Sequence, residues 1–486
     1  MINIQAKKHD NFSVEFKVGF NCTDDGKKDQ FAVNAWMFVP GSLDVSPENY
    51  GKKQFYRDIK SNVRLITPSY LLTDIAKEDS LPLQSLRSSL EKVSRFSSRK
   101  DHDAYEYHLK MFAAIFKSAL RDQASHILST RLKAGTEYMI ADYINGASSV
   151  LKAYRSLYKI INVPTASDQT RTFFKMCDEF MSHVLDVRSL RLIKMLDSLP
   201  DSEKYESFRA DLVQLVLQER QYKEMNEYSY VTPQTKRNRD IVHRHGMLKK
   251  FIESELYISL DKKKDGVALE QIYYSIAAGM AMVFATGVSW YYQIKYGNIT
   301  WPLFAVLVVS YMLKDRIKDL LRYYFAHKLG NKYFDKKANI EIGKHRVGEI
   351  KEGFDFVSRN RIPQEVLSMR DNASFEKNES RIFEEKVLLF RQVIGVNDAA
   401  LASIADYPMR GINEIMRLHL TRFTQKMDNP DVPVDVLAED GSMSEIKVKK
   451  VYYINVVFLL THDGKSKYHH FRIAMTRNGV IGIDEI

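Results

Sequence analysis

Cysteine is scarce in this sequence. Its 486 residues include two cysteines, Cys22 and Cys177, which are far apart and form no Cys-x-x-Cys pair. Structural zinc sites and the disulfide frameworks of small secreted domains both need several cysteines at short spacing. The sequence therefore excludes a zinc site built from cysteine and a disulfide scaffold, and it favours a reducing compartment.

Short catalytic and cofactor-binding motifs are also missing. The sequence has no phosphate-binding Gly-x-x-x-x-Gly-Lys loop, no Gly-x-Gly-x-x-Gly, no His-Glu-x-x-His, no Gly-x-Ser-x-Gly and no calcium-binding EF-hand loop. The sequence therefore contains none of the motifs that most clearly mark nucleotide-driven or hydrolytic enzymes. We expect no cofactor, no metal site and no catalytic residue that the sequence can identify, and we disfavour an enzyme.

Charge disappears from one segment of a chain in which 27% of residues are charged. The residues between Glu270 and Lys295 are all uncharged, and a second uncharged run extends from Tyr296 to Leu313. At about 1.5 Å per residue, the first run can cover the ~30 Å hydrocarbon thickness of a bilayer. We predict a transmembrane helical hairpin at residues 266–313, with spans at about 271–294 and 299–313.

Aromatic residues fall at the ends of both runs, as in the aromatic belts at membrane interfaces. The predicted interface residues are Tyr273, Tyr274, Trp290, Tyr291, Tyr292, Trp301 and Tyr311.

Basic residues flank the two runs, while the turn between them holds a lone lysine, Lys295. By the positive-inside rule both flanks, and with them both termini, belong in the cytoplasm. This predicts an integral protein of the inner or plasma membrane. The residues expected to contact anionic lipid headgroups are Lys262, Lys263, Lys264, Lys314, Arg316, Lys318 and Arg322.

Small residues recur along the first run, where they let helix backbones approach closely. This face serves either self-association or simply the second helix of the same hairpin, and the sequence leaves both open. Neither run contains an ionisable residue that would mark a proton relay or an ion path. The candidate packing residues are Ser275, Ala277, Gly279, Ala281 and Ala285.

The rest of the chain predicts an α+β protein. Strict alternation from Phe12 to Phe20 indicates a half-buried strand in a small N-terminal β/α region, residues 1–80. Helical periodicity then predicts a cytoplasmic bundle at 81–265. After the hairpin we expect a basic juxtamembrane helix at 314–337 and a mainly antiparallel β domain at 338–486. Whether the N-terminal strands share its sheet stays open.

The net charge of +11 suits an anionic partner. The basic segments lie beside the apolar runs, so we expect the lipid bilayer and anionic headgroups as partners and disfavour nucleic acid. The leading hypothesis is a non-enzymatic membrane-anchored sensor or scaffold that self-associates through the two-span hairpin, as an oligomeric pore or membrane effector. The alternatives are a membrane-tethered enzyme acting on lipid or nucleotide, and an assembly factor whose helical bundle docks another membrane protein.

Overall fold

The structure is a computed structural model of the whole chain. It describes residues 2–22, 28–95, 98–130, 136–198, 205–233, 236–297, 300–330, 334–342, 345–371, 385–404 and 406–486. The fold is α+β, and the chain divides into two compact units. The β unit comprises Met1–Val63, Ser259–Ile404 and Gly411–Ile486, and the helical unit comprises Arg64–Ile258 and Ala405–Arg410.

The β unit draws its strands from both ends of the chain. Its strands are β1 (Ile2–Asp10), β2 (Ser13–Asn21), β3 (Lys28–Val39), β4 (Ile59–Leu65, ending in the helical unit), β6 (Lys263–Lys264), β7 (Lys336–Ile342), β8 (His345–Val357), β9 (Lys386–Asn397), β10 (Gly411–His419), β11 (Asp431–Leu437), β12 (Met443–Lys449), β13 (Tyr452–His462), β14 (Lys465–Thr476) and β15 (Gly479–Glu485).

These strands form two sheets and a separate hairpin. One sheet runs β1-β2-β10-β4, and a larger one runs β15-β14-β13-β3-β9-β8-β7-β6. The N-terminal β2 pairs with the C-terminal β10, and β3 lies between β9 and β13. The N-terminal and C-terminal β regions therefore share both sheets. Strands β11 and β12 pair with each other, and their side chains are exposed.

Alternating apolar residues explain the packing between the sheets. On β2, Val14, Phe16, Val18 and Phe20 are all buried, as the period-2 pattern predicts. The ring of Phe16 lies 5.0 Å from that of Phe458 on β13. A buried aromatic core thus joins strands that are more than four hundred residues apart in the sequence.

The β unit also contains helices. The short ones are α1 (Lys52–Asp58), α12 (Gln364–Asp371), α13 (Asp398–Ile404) and α14 (Thr421–Thr424), and the long ones are α10 (Val267–Tyr296) and α11 (Trp301–Gly330). Helices α10 and α11 pack against each other along their length.

The helical unit is built from α2 (Leu72–Ile75), α3 (Leu81–Arg95), α4 (Arg99–Thr130), α5 (Thr136–Ser156), α6 (Tyr158–Ile161), α7 (Asp168–Asp197), α8 (Glu206–Met225) and α9 (Asn238–Glu253), with the two-residue strand β5 (Tyr257–Ile258). Helix α4 buries Phe112, Phe116 and Leu120, which stand on one face at helical spacing. The Tyr154 ring of α5 stacks on Phe174 of α7, and its hydroxyl donates to the Phe174 carbonyl over 2.9 Å.

The predicted two-span transmembrane hairpin is wrong. Helix α10 ends at Tyr296, because Gly297 adopts a left-handed φ of 74° and its N–H bonds the Gln293 carbonyl. Helix α11 begins at Trp301 and reaches its first charge at Lys314. Its uncharged part can cover only about 20 Å of a hydrocarbon layer of ~30 Å. Among the described residues, α10 is the one helix that is long and apolar enough to cross a membrane.

Candidate functional site

Helix α10 is an apolar helix that the fold leaves uncovered. Its segment Glu270–Tyr296 reaches a mean hydropathy of 1.4 over an 18-residue window, and 11% of that window is buried. A core helix of this composition would be enclosed by the protein, whereas long exposed apolar surface marks contact with a membrane or a partner. The exposed large apolar side chains along its length include Ile272, Ile276, Met280, Met282, Val283, Phe284 and Ile294.

Helix α11 occupies one face of α10. Ala277 and Ala281 are almost completely buried in the pairing, and Ser310 of α11 is buried with them. The Ser310 hydroxyl approaches the Ala285 carbonyl at 3.4 Å. Three predicted packing residues, Ala277, Ala281 and the half-buried Ala285, therefore lie on the side of α10 that α11 covers.

The other two predicted packing residues lie elsewhere on α10. Ser275 is exposed, and a Cβ added at Gly279 would meet no atom within 4 Å. The same open space surrounds Gly287, two helical turns further along. The small residues of α10 thus form two faces, one filled by α11 and one open.

The predicted interface aromatics differ in their surroundings. Tyr273 stacks on Phe325 of α11 with ring centroids 5.4 Å apart, and the Tyr274 hydroxyl donates to Glu270 over 2.8 Å. Tyr292 stacks on Tyr296 at 5.8 Å. The remaining aromatics of the set are exposed at their surfaces: Trp290, Tyr291, Trp301 and Tyr311.

The predicted lipid-contacting cations also differ in their surroundings. Lys262 forms an ion pair of 2.6 Å with the buried Glu352, so this lysine belongs to the interior of the β unit. Lys263 keeps 78% of its side chain exposed. Lys264 pairs with Glu270 and Lys318 with Asp315.

The three other cations lie along α11. The Lys314 ammonium lies 3.8 Å from the centre of the Tyr311 ring, and the Arg322 guanidinium lies 5.5 Å from that of Tyr274. Arg316 is exposed. Cations that sit over tyrosines at the ends of an apolar helix suit the boundary between hydrocarbon and headgroups.

The two ends of the helix pair return to one place in the fold. Strand β6 directly precedes α10, and β7 follows α11. In the antiparallel pair that these strands form, Lys263 faces Lys337 and Lys264 faces Lys336. The chain therefore leaves the large sheet at β6 and re-enters the same sheet at β7.

A group of buried polar residues between the two sheets bears on the enzyme alternative. Glu414 of β10 accepts hydrogen bonds from Ser61 and from Gln392, the latter over 2.8 Å. Gln392 also approaches Glu352 at 3.4 Å. Burial and the nearby Glu352 charge raise the pKa of Glu414 to about 7.

This perturbed carboxyl does not have the surroundings of a catalytic acid. Glu414 is completely buried and Gln392 is 1% exposed, so no substrate reaches them. The sequence carries a signal for Glu414, because every second residue of β10 faces inward. Glu414 shares this inward face with the buried Ile412, Met416 and Leu418.

One group among the described residues has the donor types and spacing for a metal ion: Asp29, His462 and Asp463. The His462 Nε2 atom lies 3.2 Å from Asp29 Oδ1 and 3.4 Å from Asp463 Oδ2, and its ring stacks on Phe31. Both contacts are made by the same ring nitrogen. Sequence inspection misses the group because β3 and the β13–β14 turn are far apart in the chain.

No protein-family model, no curated protein and no solved structure matches this chain.

Proposed function

We propose that the protein is a non-enzymatic membrane-anchored sensor or scaffold that inserts α10 into a bilayer from the cytoplasmic side. The observation that carries this proposal is the exposure of α10. Its most apolar window is 11% buried, although α11 packs along one of its faces. A hydrocarbon environment would cover these side chains favourably, whereas water would not.

Two further arguments support a cytoplasmic location of both termini. Strands from the N-terminal region and from the C-terminal region pair in both sheets, so they must lie on one side of any membrane. The basic residues beside α10 and α11 favour the cytoplasmic side for that shared body. Anchoring then depends on α10, which enters the bilayer from the side of this shared body.

Self-association is the second part of the proposal. The open face of α10 at Ser275 and Gly279 lets a second helix approach closely, as small-residue faces do in membranes. This face replaces the alanines as the candidate contact between copies, because α11 already covers Ala277 and Ala281.

Vesicle flotation tests the anchoring. Full-length protein diluted from detergent onto phosphatidylcholine and phosphatidylglycerol vesicles is expected to float with the lipid. Val283→Arg changes a 74% exposed side chain near the middle of α10. An arginine at the centre of a bilayer costs about 2.5–3.5 kcal/mol, so the variant should partition roughly 100-fold less.

Leu437→Arg is the matched control, because Leu437 is 70% exposed on β11 and lies outside α10. This variant should float like the unchanged protein. Equal flotation of all three proteins, or a protein that stays in the aqueous fraction, would overturn the anchoring role of α10.

A further inference from the structure

A polar cleft opens in the β unit where three segments end together. It is formed by the β1–β2 turn, by the junction of α1 with β4, and by the end of β10 with α14. Its volume is about 620 Å³. Ligand sites for small molecules commonly measure about 300–1,000 Å³, so the cleft is large enough for a compound of nucleotide size.

Positive charge dominates the lining. Four permanently charged cations line the cleft, and two carboxylates, Asp10 and Asp58, accompany them. The histidines His9 and His419 also line the cleft. The cations are Arg57, Lys60, Arg417 and Arg422.

Two of the arginines are held in place by buried acids. Arg417 Nε lies 2.8 Å from Glu15, and Arg422 Nε lies 3.1 Å from Asp58. Both carboxylates are buried, whereas the arginines are 40% and 36% exposed at the cleft. Each guanidinium uses its Nε for this contact, which leaves the terminal nitrogens available for a ligand. A fixed, planar guanidinium is well suited to bind phosphate oxygens in pairs.

Neutral hydrogen-bonding groups also line the cleft, in addition to the arginines. The Ser13 hydroxyl lies 3.0 Å from His419 Nδ1, and the Thr421 hydroxyl lies 2.8 Å from His419 Nε2. Ser13 and His419 are cross-strand partners on β2 and β10, so the sheet fixes their spacing. These groups offer hydrogen bonds to the uncharged part of a ligand.

We infer that this cleft binds a phosphate-bearing anion. The surplus of cations excludes a metal ion as the ligand, and the rigid arginines favour phosphate. The phosphate belongs either to a soluble metabolite or to a lipid headgroup, since both present the same chemistry. Binding itself is independent of membrane anchoring, while the role of the ligand as the sensed signal rests on the proposed function.

Calorimetry with pyrophosphate tests this inference on full-length protein in detergent. Saturable binding is expected, weakening as salt is raised because the contacts are ionic. The test variant is Arg57→Ala with Lys60→Ala, since both residues are exposed and their removal leaves the buried Glu15 and Asp58 with their arginines. Affinity should fall at least about tenfold, as expected for the loss of charge-assisted contacts.

Lys465→Ala with Lys467→Ala is the control, because it removes the same charge from exposed positions on β14. It should leave the affinity unchanged. No saturable pyrophosphate binding, or equal weakening by both double variants, would overturn the inference.

Nanodiscs then distinguish the two sources. If phosphoinositide in the nanodisc competes with pyrophosphate, the cleft takes a lipid headgroup, and if pyrophosphate binds equally with and without that lipid, the ligand is soluble. Either outcome supports a phosphate site. Failure of the protein to enter nanodiscs would contradict the anchoring proposal. The pyrophosphate binding measured in detergent would still test the phosphate site.

Discussion

Lys263 and Lys337 are cross-strand partners, although the whole of α10 and α11 lies between them in the sequence. The pairing closes the helix pair into a loop that starts and ends at one edge of the large sheet. The chain therefore leaves the sheet before α10 and re-enters it after α11 at the same edge.

This relationship predicts the labelling of the two positions. Single cysteines at Lys263→Cys and Lys337→Cys, in a chain with Cys22→Ser and Cys177→Ala, should both react with an impermeant maleimide from the cytoplasmic side. Both should resist the same reagent added from outside to intact cells. Reaction of one cysteine from each side would contradict the shared sheet and the proposed topology.

The two faces of α10 predict opposite effects of leucine. Ala281→Leu should disturb the packing of α10 on α11, because Ala281 is 1% exposed and overpacking typically costs about 1–3 kcal/mol. Gly279→Leu should not lower the thermal stability, since its surroundings are open. Light scattering in detergent should show that the protein without substitutions is an oligomer and that Gly279→Leu dissociates it. A monomer without any substitution would contradict the proposed self-association.

His183 of α7 and His245 of α9 predict a pH dependence of stability in the helical unit. Their rings stack with centroids 3.5 Å apart. Burial, His245 and Lys223 lower the pKa of His183 to about 3. Burial and Lys223 also lower the pKa of His245, although the nearby Glu179 and Asp186 act in the opposite direction. Unfolded histidine titrates near 6.5, so the unfolded chain binds more protons and stability falls as pH drops below about 6.5.

Urea unfolding at several pH values measures this effect. His183→Phe keeps a ring against His245 and removes one titrating group, so its stability should decline less between pH 6.5 and 4. His243→Phe is the control, because His243 is an exposed residue on α9, the helix of His245. This variant should retain the full decline of stability between pH 6.5 and 4. Identical pH profiles for all three proteins would show that the stacked pair does not titrate with folding.

Glu414 predicts the opposite pH slope for the β unit. Its pKa of about 7 exceeds the ordinary 4.5, so the folded chain binds more protons and its stability falls as pH rises from about 4.5 to 7. Glu414→Gln should abolish this decline, which amounts to up to about 3 kcal/mol. Glu445→Gln, on the exposed β12, should preserve it. Calorimetric unfolding across this range gives the comparison.

Local patterns determined the parts of the molecule that depend on neighbouring residues. The alternation from Phe12 to Phe20 predicted β2, and the helical periodicity of residues 81–265 predicted helices such as α4. The loss of charge after Glu270 predicted α10. Each of these features follows from the side-chain periodicity of one element, which a single stretch of sequence contains.

Turn geometry decided where the apolar helices end. The uncharged sequence runs from Gln271 to Leu313 with one interruption at Lys295, so counting residues assigned two spans. The left-handed Gly297 ends α10 after Tyr296, and α11 starts only at Trp301. The uncharged part of α11 is therefore two residues shorter than the predicted span of 299–313, and both lengths fall short of the ~30 Å hydrocarbon layer.

Only the tertiary structure brought together residues from distant segments. The pairing of β6 with β7, the burial of Glu414 beside Gln392 and the convergence of Arg57 with Arg417 depend on strand order and register. The sequence by itself determined periodic elements such as β2 and that α10 is apolar enough for a membrane. Contacts between residues hundreds of positions apart leave no periodic signal in the chain, so the cleft and the buried carboxyl group became visible only in the folded protein.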